Sequence, residues 1–199
     1  MRLNPAGRHL GAHLDLLHLI AAHRRYLERL PNGQRLMLKG ANLAGVNFSR
    51  QRLDRAVLSG ANLIAANLQI SHFDHADLFG ANLAQANLTD ATLTGADLRG
   101  ANLSRTILLR AVLDGADLRA GQLMVWAGKH RGKTVPAAAD LKGADLRHAN
   151  LVDIDAAEAD FAQADLRQAN LYSANFFNTS RLSRMTCSRI WIFFANAAS

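Results

Sequence analysis

Histidine is the side chain of this chain best suited to chemistry near neutral pH. Four of its eight histidines, His9, His13, His18 and His23, fall within one short N-terminal stretch. His9 and His13 have the i, i+4 spacing by which two imidazoles on one helical face hold a metal ion. The four do not converge on one direction around a helix, and no acid or cysteine joins them at ligand spacing, so they read as solvated or capping residues. His72 and His75 form a second close pair with the same shortage of ligands. Carboxylates come next: Asp77, Asp97, Asp117, Asp145, Asp160 and Asp165 each precede a Leu or Phe. They recur because a sequence unit recurs, and a general acid or base would need a converging partner in a cleft. Bonding of these side chains to nearby backbone amides is the simpler role. There is no phosphate-binding glycine loop and no Cys-x-x-Cys, and Cys187 is the single cysteine. The expectation is a protein that is not an enzyme, with no catalytic residues, no metal site and no cofactor.

The unit behind these aspartates is five residues long. From position 38 to 123 every fifth residue is Leu or Phe, and a second run in a new frame, 141 to 176, is broken only by Ala156. Ala stands two before this residue in 19 of the 26 units, and Asn or Asp stands one before it in 18. A five-residue step rotates a helical side chain by about 140° and reverses the face of a strand, so neither element keeps these leucines inside. A short extended piece does, with Ala and Leu both pointing inward and a corner that resets the phase.

Gly-Ala-Asn-Leu recurs at 40–43, 60–63, 80–83 and 100–103, so four sides close one turn in twenty residues. Coils stacked ~4.8 Å apart place each Leu on the Leu of the next coil and let Asn42, Asn62, Asn82 and Asn102 form an amide ladder. Four inward leucines leave room only for Ala beside them, and Gly and Asn suit corners that need positive φ.

These repeats resemble those of the pentapeptide-repeat family. The resemblance implies an all-β solenoid, a right-handed quadrilateral β-helix; 26 units at four per coil make between six and seven coils. Residues 36–123 and 139–178 are the two repeat blocks, 1–35 an N-terminal α-helical cap, 124–138 a loop interrupting the repeat, and 179–199 a C-terminal cap or dimerisation tail. Within the cap, Leu10, Leu14, Leu17 and Ala21, beside Leu16, Ile20, Leu27 and Leu30, give an apolar stripe over residues 8–30 that stops at Pro31-Asn32-Gly33. Such a helix would cover the first coil, the alternative being a partner-binding helix. The run His23-Arg24-Arg25-Tyr26-Leu27 before Gly33 also resembles a leader common ahead of such repeats.

Two segments break the pattern. Residues 124–138 join an apolar base holding Trp126 to a basic tip of Lys129, His130, Arg131 and Lys133. This is a partner-contact loop, or Trp126 packs on the wall while the tip is solvated. Loops that interrupt the coil matter in topoisomerase-protecting members of the family, which the resemblance carries over as an expectation. In the tail, Ile190, Trp191, Ile192, Phe193 and Phe194 concentrate aromatic surface that plugs the last coil or forms an interface. Relatives that dimerise through their C-termini imply a homodimer here, and a tail without an evolved role is the third reading.

The net charge is +7: residues 1–37 contribute +4, residues 38–178 are balanced, and residues 179–199 contribute +3. Specific nucleic-acid binding would need a continuous basic track or stacking aromatics, which the repeat lacks. A duplex-DNA mimic would need an acidic wall, whereas the columns Asp54, Asp74, Asp114 and Asp77, Asp97, Asp117 are interleaved with Arg52, Arg55, Arg99 and Arg119. Ile64, Phe79, Ile107, Leu109 and Val112 stand at outward positions, as part of a binding patch or as scattered exposure. The apolar stretch at 14–22 is broken by Asp15 and His18, and the run at 190–194 is too short to span a bilayer, so a cytoplasmic protein without a membrane partner is expected. The expected role is a non-enzymatic protein-protein interaction or scaffold module with an unknown protein partner. The alternative, DNA-mimic binding of gyrase or topoisomerase, is disfavoured by charge.

Overall fold

The structure is a computed structural model that describes residues 11–125 and 133–179. Each five-residue unit forms one short side and one tight corner. At the first corner the Ala41 N–H donates back to the Leu38 carbonyl at 3.1 Å, with Gly40 at φ 65°. A positive φ at the third residue of a four-residue turn is the type II arrangement. It repeats at every fifth residue from 40 to 115 and from 143 to 178. Glycine fills eight of these 24 corners, while Arg50, Gln85, Asp90 and even the β-branched Ile70, at φ 58°, fill others. Asparagine, expected at the corners, holds one of them, Asn178 at φ 55°, and elsewhere in the coil stands mostly one residue before the inward Leu.

The sides stack through parallel pairing. The Leu38 N–H donates to the Val57 carbonyl at 2.7 Å and the Val57 N–H to the Leu36 carbonyl at 2.9 Å. Four ladders run the length of the rod, beginning at Met37, Asn42, Asn47 and Arg52 and advancing twenty residues per step within each repeat block. The inward residues form one continuous core: Phe48, Leu53, Leu68, Leu88 and Leu103 are fully buried, with Ala56, Ala81 and Ala116 beside them. Where a hydroxyl replaces an inward Ala it bonds to a corner carbonyl, Ser71 to Leu68 and Thr106 to Leu103.

The second repeat block continues the first on all four sides, since Asn102 pairs with Asp140, Ile107 with Asp145, Val112 with Asn150 and Asp117 with Asp155. Each of these steps is 38 residues rather than twenty, so 18 residues, 121–138, are looped out between consecutive sides. The interruption therefore begins three residues before the expected 124, and it is a hairpin: β1 (Gly121–Val125) pairs antiparallel with β2 (Lys133–Ala137). Leu123 keeps the five-residue spacing yet belongs to β1, opposite Val135. Its place beneath Leu103 is taken because the Leu103 N–H already donates to Asp140.

Ahead of the coil, α1 spans Gly11–Leu27, ending three residues before the 30 expected; the start expected at residue 8 lies outside the described residues. Leu16, Leu19 and Ile20 pack against the core, while Leu17, counted in the apolar stripe, is 53% exposed. The Gln34 N–H donates to the Ala22 carbonyl at 3.0 Å, tying the chain entering the first coil to the helix. Among the described residues no helix is long and apolar enough to cross a membrane.

Candidate functional surfaces

The outward wall is built by the residues on either side of the inward Leu, which an extended backbone points the same way. All six aspartates singled out from the sequence bond to a backbone amide two residues on: Asp77 accepts from Phe79, Asp97 from Arg99, Asp117 from Arg119, Asp145 from Arg147, Asp160 from Ala162 and Asp165 from Arg167, at 2.9 to 3.2 Å. Asparagines do likewise, Asn62 accepting from Ile64 and Asn102 from Ser104. Because the side-chain oxygen is committed to its own strand, the amide ladder expected through Asn42, Asn62, Asn82 and Asn102 has one rung among the described residues, Asn62 Nδ2 to Asn42 Oδ1 at 3.0 Å.

Four of these aspartates carry an arginine two residues on, and each guanidinium folds onto its carboxylate through two nitrogens. Arg99 Nη2 lies 2.6 Å from Asp97 Oδ2, Arg119 Nη2 2.8 Å from Asp117, Arg147 Nη2 2.8 Å from Asp145 and Arg167 Nη2 2.6 Å from Asp165. The same arginines reach the next coil, Arg99 to Asp117 at 3.5 Å and Arg119 to Asp155 at 3.4 Å, the second across the insertion. Lys142 bridges Asp140 and Asp160, and Arg110 grips Asp90 one coil away at 2.6 Å. The Arg147 hydrogen bond holds the Asp145 carboxyl below its usual range, as Arg167 does for Asp165 and Arg110 for Asp90. These pairs lie at the solvent-exposed surface, where water and salt screen them, so they contribute little to stability. Their main effect is to neutralise the wall.

Charge is not evenly spread along the axis. Residues 11–55 hold eight basic and three acidic side chains, and the remaining described residues hold eight basic and thirteen acidic. The end of the rod carrying α1 is thus positive and the later coils negative, a polarity the balanced total for 38–178 conceals. At the positive end an open groove between α1 and the first coil is lined by Leu17, Ile20, Arg24, Glu28, Arg50 and Arg52.

The hairpin emerges against the wall. A Cβ on Gly121 would sit 2.6 Å from Phe79 Cε2 and 3.3 Å from the Arg99 backbone carbon, so only glycine allows this approach. The Arg99 guanidinium also lies 5.5 Å from the centre of the Phe79 ring, so Phe79 is a seat for the hairpin base. Ile64, Leu109 and Val112 are half-buried and Ile107 is 38% exposed. Ile70, Tyr172 and Phe177 are exposed large apolar residues that sequence reasoning did not single out. Of the predicted contact residues, Lys133 opens β2 opposite Val125. Trp126, Lys129, His130 and Arg131 lie outside the described residues, as do Ile190, Trp191, Ile192, Phe193 and Phe194.

The histidines separate. His9 lies outside the described residues, His13 and His18 are on α1, and His72 pairs its Nδ1 with Thr92 Oγ1 at 3.2 Å. His75 stands over Gly95. Among the described residues no three His, Cys, Asp or Glu side chains gather at metal-binding distance. Among the histidines whose side chains are described, His23 differs in being fully buried between α1 and the start of the coil.

A four-sided parallel solenoid with a leucine column inside and turn-bonded Asn or Asp outside defines a repeat protein whose sequence unit is the pentad. The chain belongs to the pentapeptide-repeat family: the model described as Pentapeptide repeats matches in eight copies, over residues 38–69, 56–95, 71–108, 93–123 and 139–178. The fold of that family is the right-handed quadrilateral β-helix. Among solved structures, the chain is similar to a pentapeptide repeat protein of the Arabidopsis thaliana thylakoid lumen, at 30% identity over 56% of this chain and 69% of that one, TM-score 0.40. HetL of the cyanobacterium Nostoc sp. strain PCC 7120, involved in heterocyst differentiation regulation, shares 30% identity over 73% of this chain and 70% of its own, TM-score 0.35. The plasmid-mediated fluoroquinolone resistance protein QnrB1 is 15% identical over 73% and 83%, TM-score 0.33. No curated protein matches the chain.

Proposed function

We propose that this protein is a non-enzymatic interaction module, a rigid β-helical rod whose hairpin and ends engage a protein partner. The observation that carries the reading is the continuous core: inward Leu, Phe and Ala residues fill the coil from Leu36 to Phe176, which leaves its interior no room for a substrate. Chemistry must then happen on the outside, where the aspartates are tied to turn amides and arginines. The hairpin at 121–138, with its basic tip, and the aromatic tail after Asn178 are the working surfaces, and the tail also serves a homodimer. A single cysteine suits a reducing compartment such as the cytoplasm.

The test is affinity capture with three forms of the protein: the full chain, a form lacking 121–138, and one ending at Asn178. Loss of the captured partner, or of the dimer in sedimentation, from either shortened form supports the reading. Retention of every interaction by both overturns it. Gyrase binding as a DNA mimic is the second reading, and the arginine-neutralised wall counts against it. A supercoiling assay with and without a quinolone separates the two, since inhibition or drug protection at low micromolar protein would favour mimicry.

A further inference from the structure

The strongest unabsorbed feature is His23. It is fully buried, its ring stacks on Tyr26 at 5.8 Å, and its Nδ1 accepts the Leu36 N–H at 3.0 Å. The position of Leu36 explains that bond. In later coils the equivalent N–H closes a corner by donating to the carbonyl three residues earlier: Ala56 to Leu53, Ala76 to Phe73 and Ala96 to Leu93, each at 3.0 Å. Leu36 opens the first side and has no corner before it, so the imidazole supplies the missing acceptor. An acceptor needs a lone pair, which fixes the proton of the neutral ring on Nε2. That nitrogen is buried without a hydrogen bond of full geometry, although the Asp54 backbone lies near it.

We propose that His23 is an acid-operated latch: neutral, it clasps α1 onto the first coil through the Leu36 amide, and protonated at Nδ1 it turns N–H against N–H and releases the helix. This goes beyond the scaffold reading and does not rest on it. The groups facing the ring are few. Asp54 on the first coil, itself 3.6 Å from Arg52, favours the protonated form, while Arg35 on the entering strand opposes it. Tyr26 covers one face of the ring. Burial is the largest influence and holds the imidazole below its ordinary value, so the docked state resists protonation. The sign follows: a group that binds its proton less readily when docked stabilises docking above its free value of about 6.5, and that stabilisation is lost as pH falls towards the docked value. Release would uncover Leu36 and Leu38, buried at the first coil, and the strand edges beside them.

The experiment is amide hydrogen exchange at Leu36 in the full chain from pH 8 to pH 5, corrected for intrinsic exchange, in the wild type and in His23→Gln, whose amide oxygen keeps an acceptor but cannot be protonated. Wild-type opening should rise by up to about tenfold per pH unit below the free histidine value, the limit for one proton. In His23→Gln the slope should vanish while exchange at Leu88, deep in the coil, stays unchanged. Leu36 protection independent of pH in the wild type, or a slope persisting in His23→Gln, overturns the proposal. If His23→Gln fails to fold, the wild-type ring decides by NMR: the expected result is an Nε2–H tautomer titrating below the ordinary value together with Leu36 opening. An Nδ1–H tautomer, or titration without opening, refutes the latch.

Discussion

Excising residues 121–138 should leave a folded rod. The cut joins Ala120 to Ala139 and places Leu141 five residues after Leu118, the pentad spacing. The pairs Asn102 with Asp140 and Asp117 with Asp155 already exist across the insertion and would simply become twenty-residue steps. Closing an 18-residue excursion costs about (3/2)RT ln 18, or roughly 2.6 kcal/mol apart from a constant, and the excision removes that cost. Against it stands the five-residue ladder of β1 and β2 and the cover over Phe79, a partial burial on the order of 1 kcal/mol. The balance lies between zero and about 2 kcal/mol in favour of the shortened protein, a rise of up to a few degrees in thermal midpoint by circular dichroism. The control is deletion of 124–136, which also restores a five-residue spacing but turns the second block by one side and puts Asp140 beneath Ile107. It should be the less stable variant, because Arg119 then loses Asp155 and Gly121 must turn inward. A melt in which the 13-residue deletion is the more stable, or in which loss of 121–138 abolishes the cooperative transition, would refute the assigned register.

The remaining expectations concern single residues. Gly33→Ala should destabilise α1 docking far more than Gly60→Ala destabilises the coil. A Cβ at Gly33 meets the backbone of Tyr26 at 2.5 Å and of Arg25 at 2.7 Å, whereas at Gly60 it meets open space and costs only the positive φ, about 1–2 kcal/mol. Limited trypsin cleavage at the arginines of α1, beside a thermal melt, distinguishes the two. Asp114→Asn should raise the thermal midpoint at neutral pH: burial pushes its carboxyl up, one oxygen lacks a partner, and Asp153 adds repulsion. A carboxyl raised in the folded state stabilises at low pH and loses that stability as pH rises, so the gain should shrink on acidification below the ordinary carboxylate range. Equal gains at pH 7 and pH 3 would contradict this. Leu88→Ala, at a fully buried site, should cost about 2–5 kcal/mol. A loss below 1 kcal/mol in chemical denaturation would show that neighbouring coils collapse into the space.

How much of this was legible in the sequence depends on whether a residue's role is set by its own pentad or by another element. Leu88 is inward because it holds the fifth place of an unbroken run, and Asp145 bonds to the Arg147 amide because two residues of extended chain bring them together; both are local and both could be read. Leu123 shows the limit. It satisfies the period, but whether it enters the coil depends on competition with Leu141 for the place under Leu103, and spacing alone cannot decide that. Gly121, one residue upstream of Gln122, was the available signal, since no other inward position holds glycine. His23 was grouped with three other histidines by proximity, whereas its burial follows from how the chain folds back through Gly33 and Leu36. Ile70 was missed because a β-branched residue at positive φ contradicts local preference, and a regular stack imposes the conformation regardless.

The arginines on the wall determine what the rod can be mistaken for. Beyond residue 55 the described coils carry thirteen acidic side chains. About five coils at ~4.8 Å each make roughly 24 Å of axis, close to one carboxylate per ~1.8 Å. Duplex DNA presents one charge per ~1.7 Å, so the gross density would match. The seven basic residues of the same coils lower the net to one charge per ~4 Å, and Arg99, Arg119, Arg147 and Arg167 do so by lying directly on the carboxylates. A partner that reads phosphate charge meets a surface at less than about half of the charge density of duplex DNA. The same neutrality keeps the long wall from repelling or attracting its neighbours, so the interaction role proposed above assigns recognition to what breaks the repeat: the basic hairpin, the positive end around α1 and the aromatic tail.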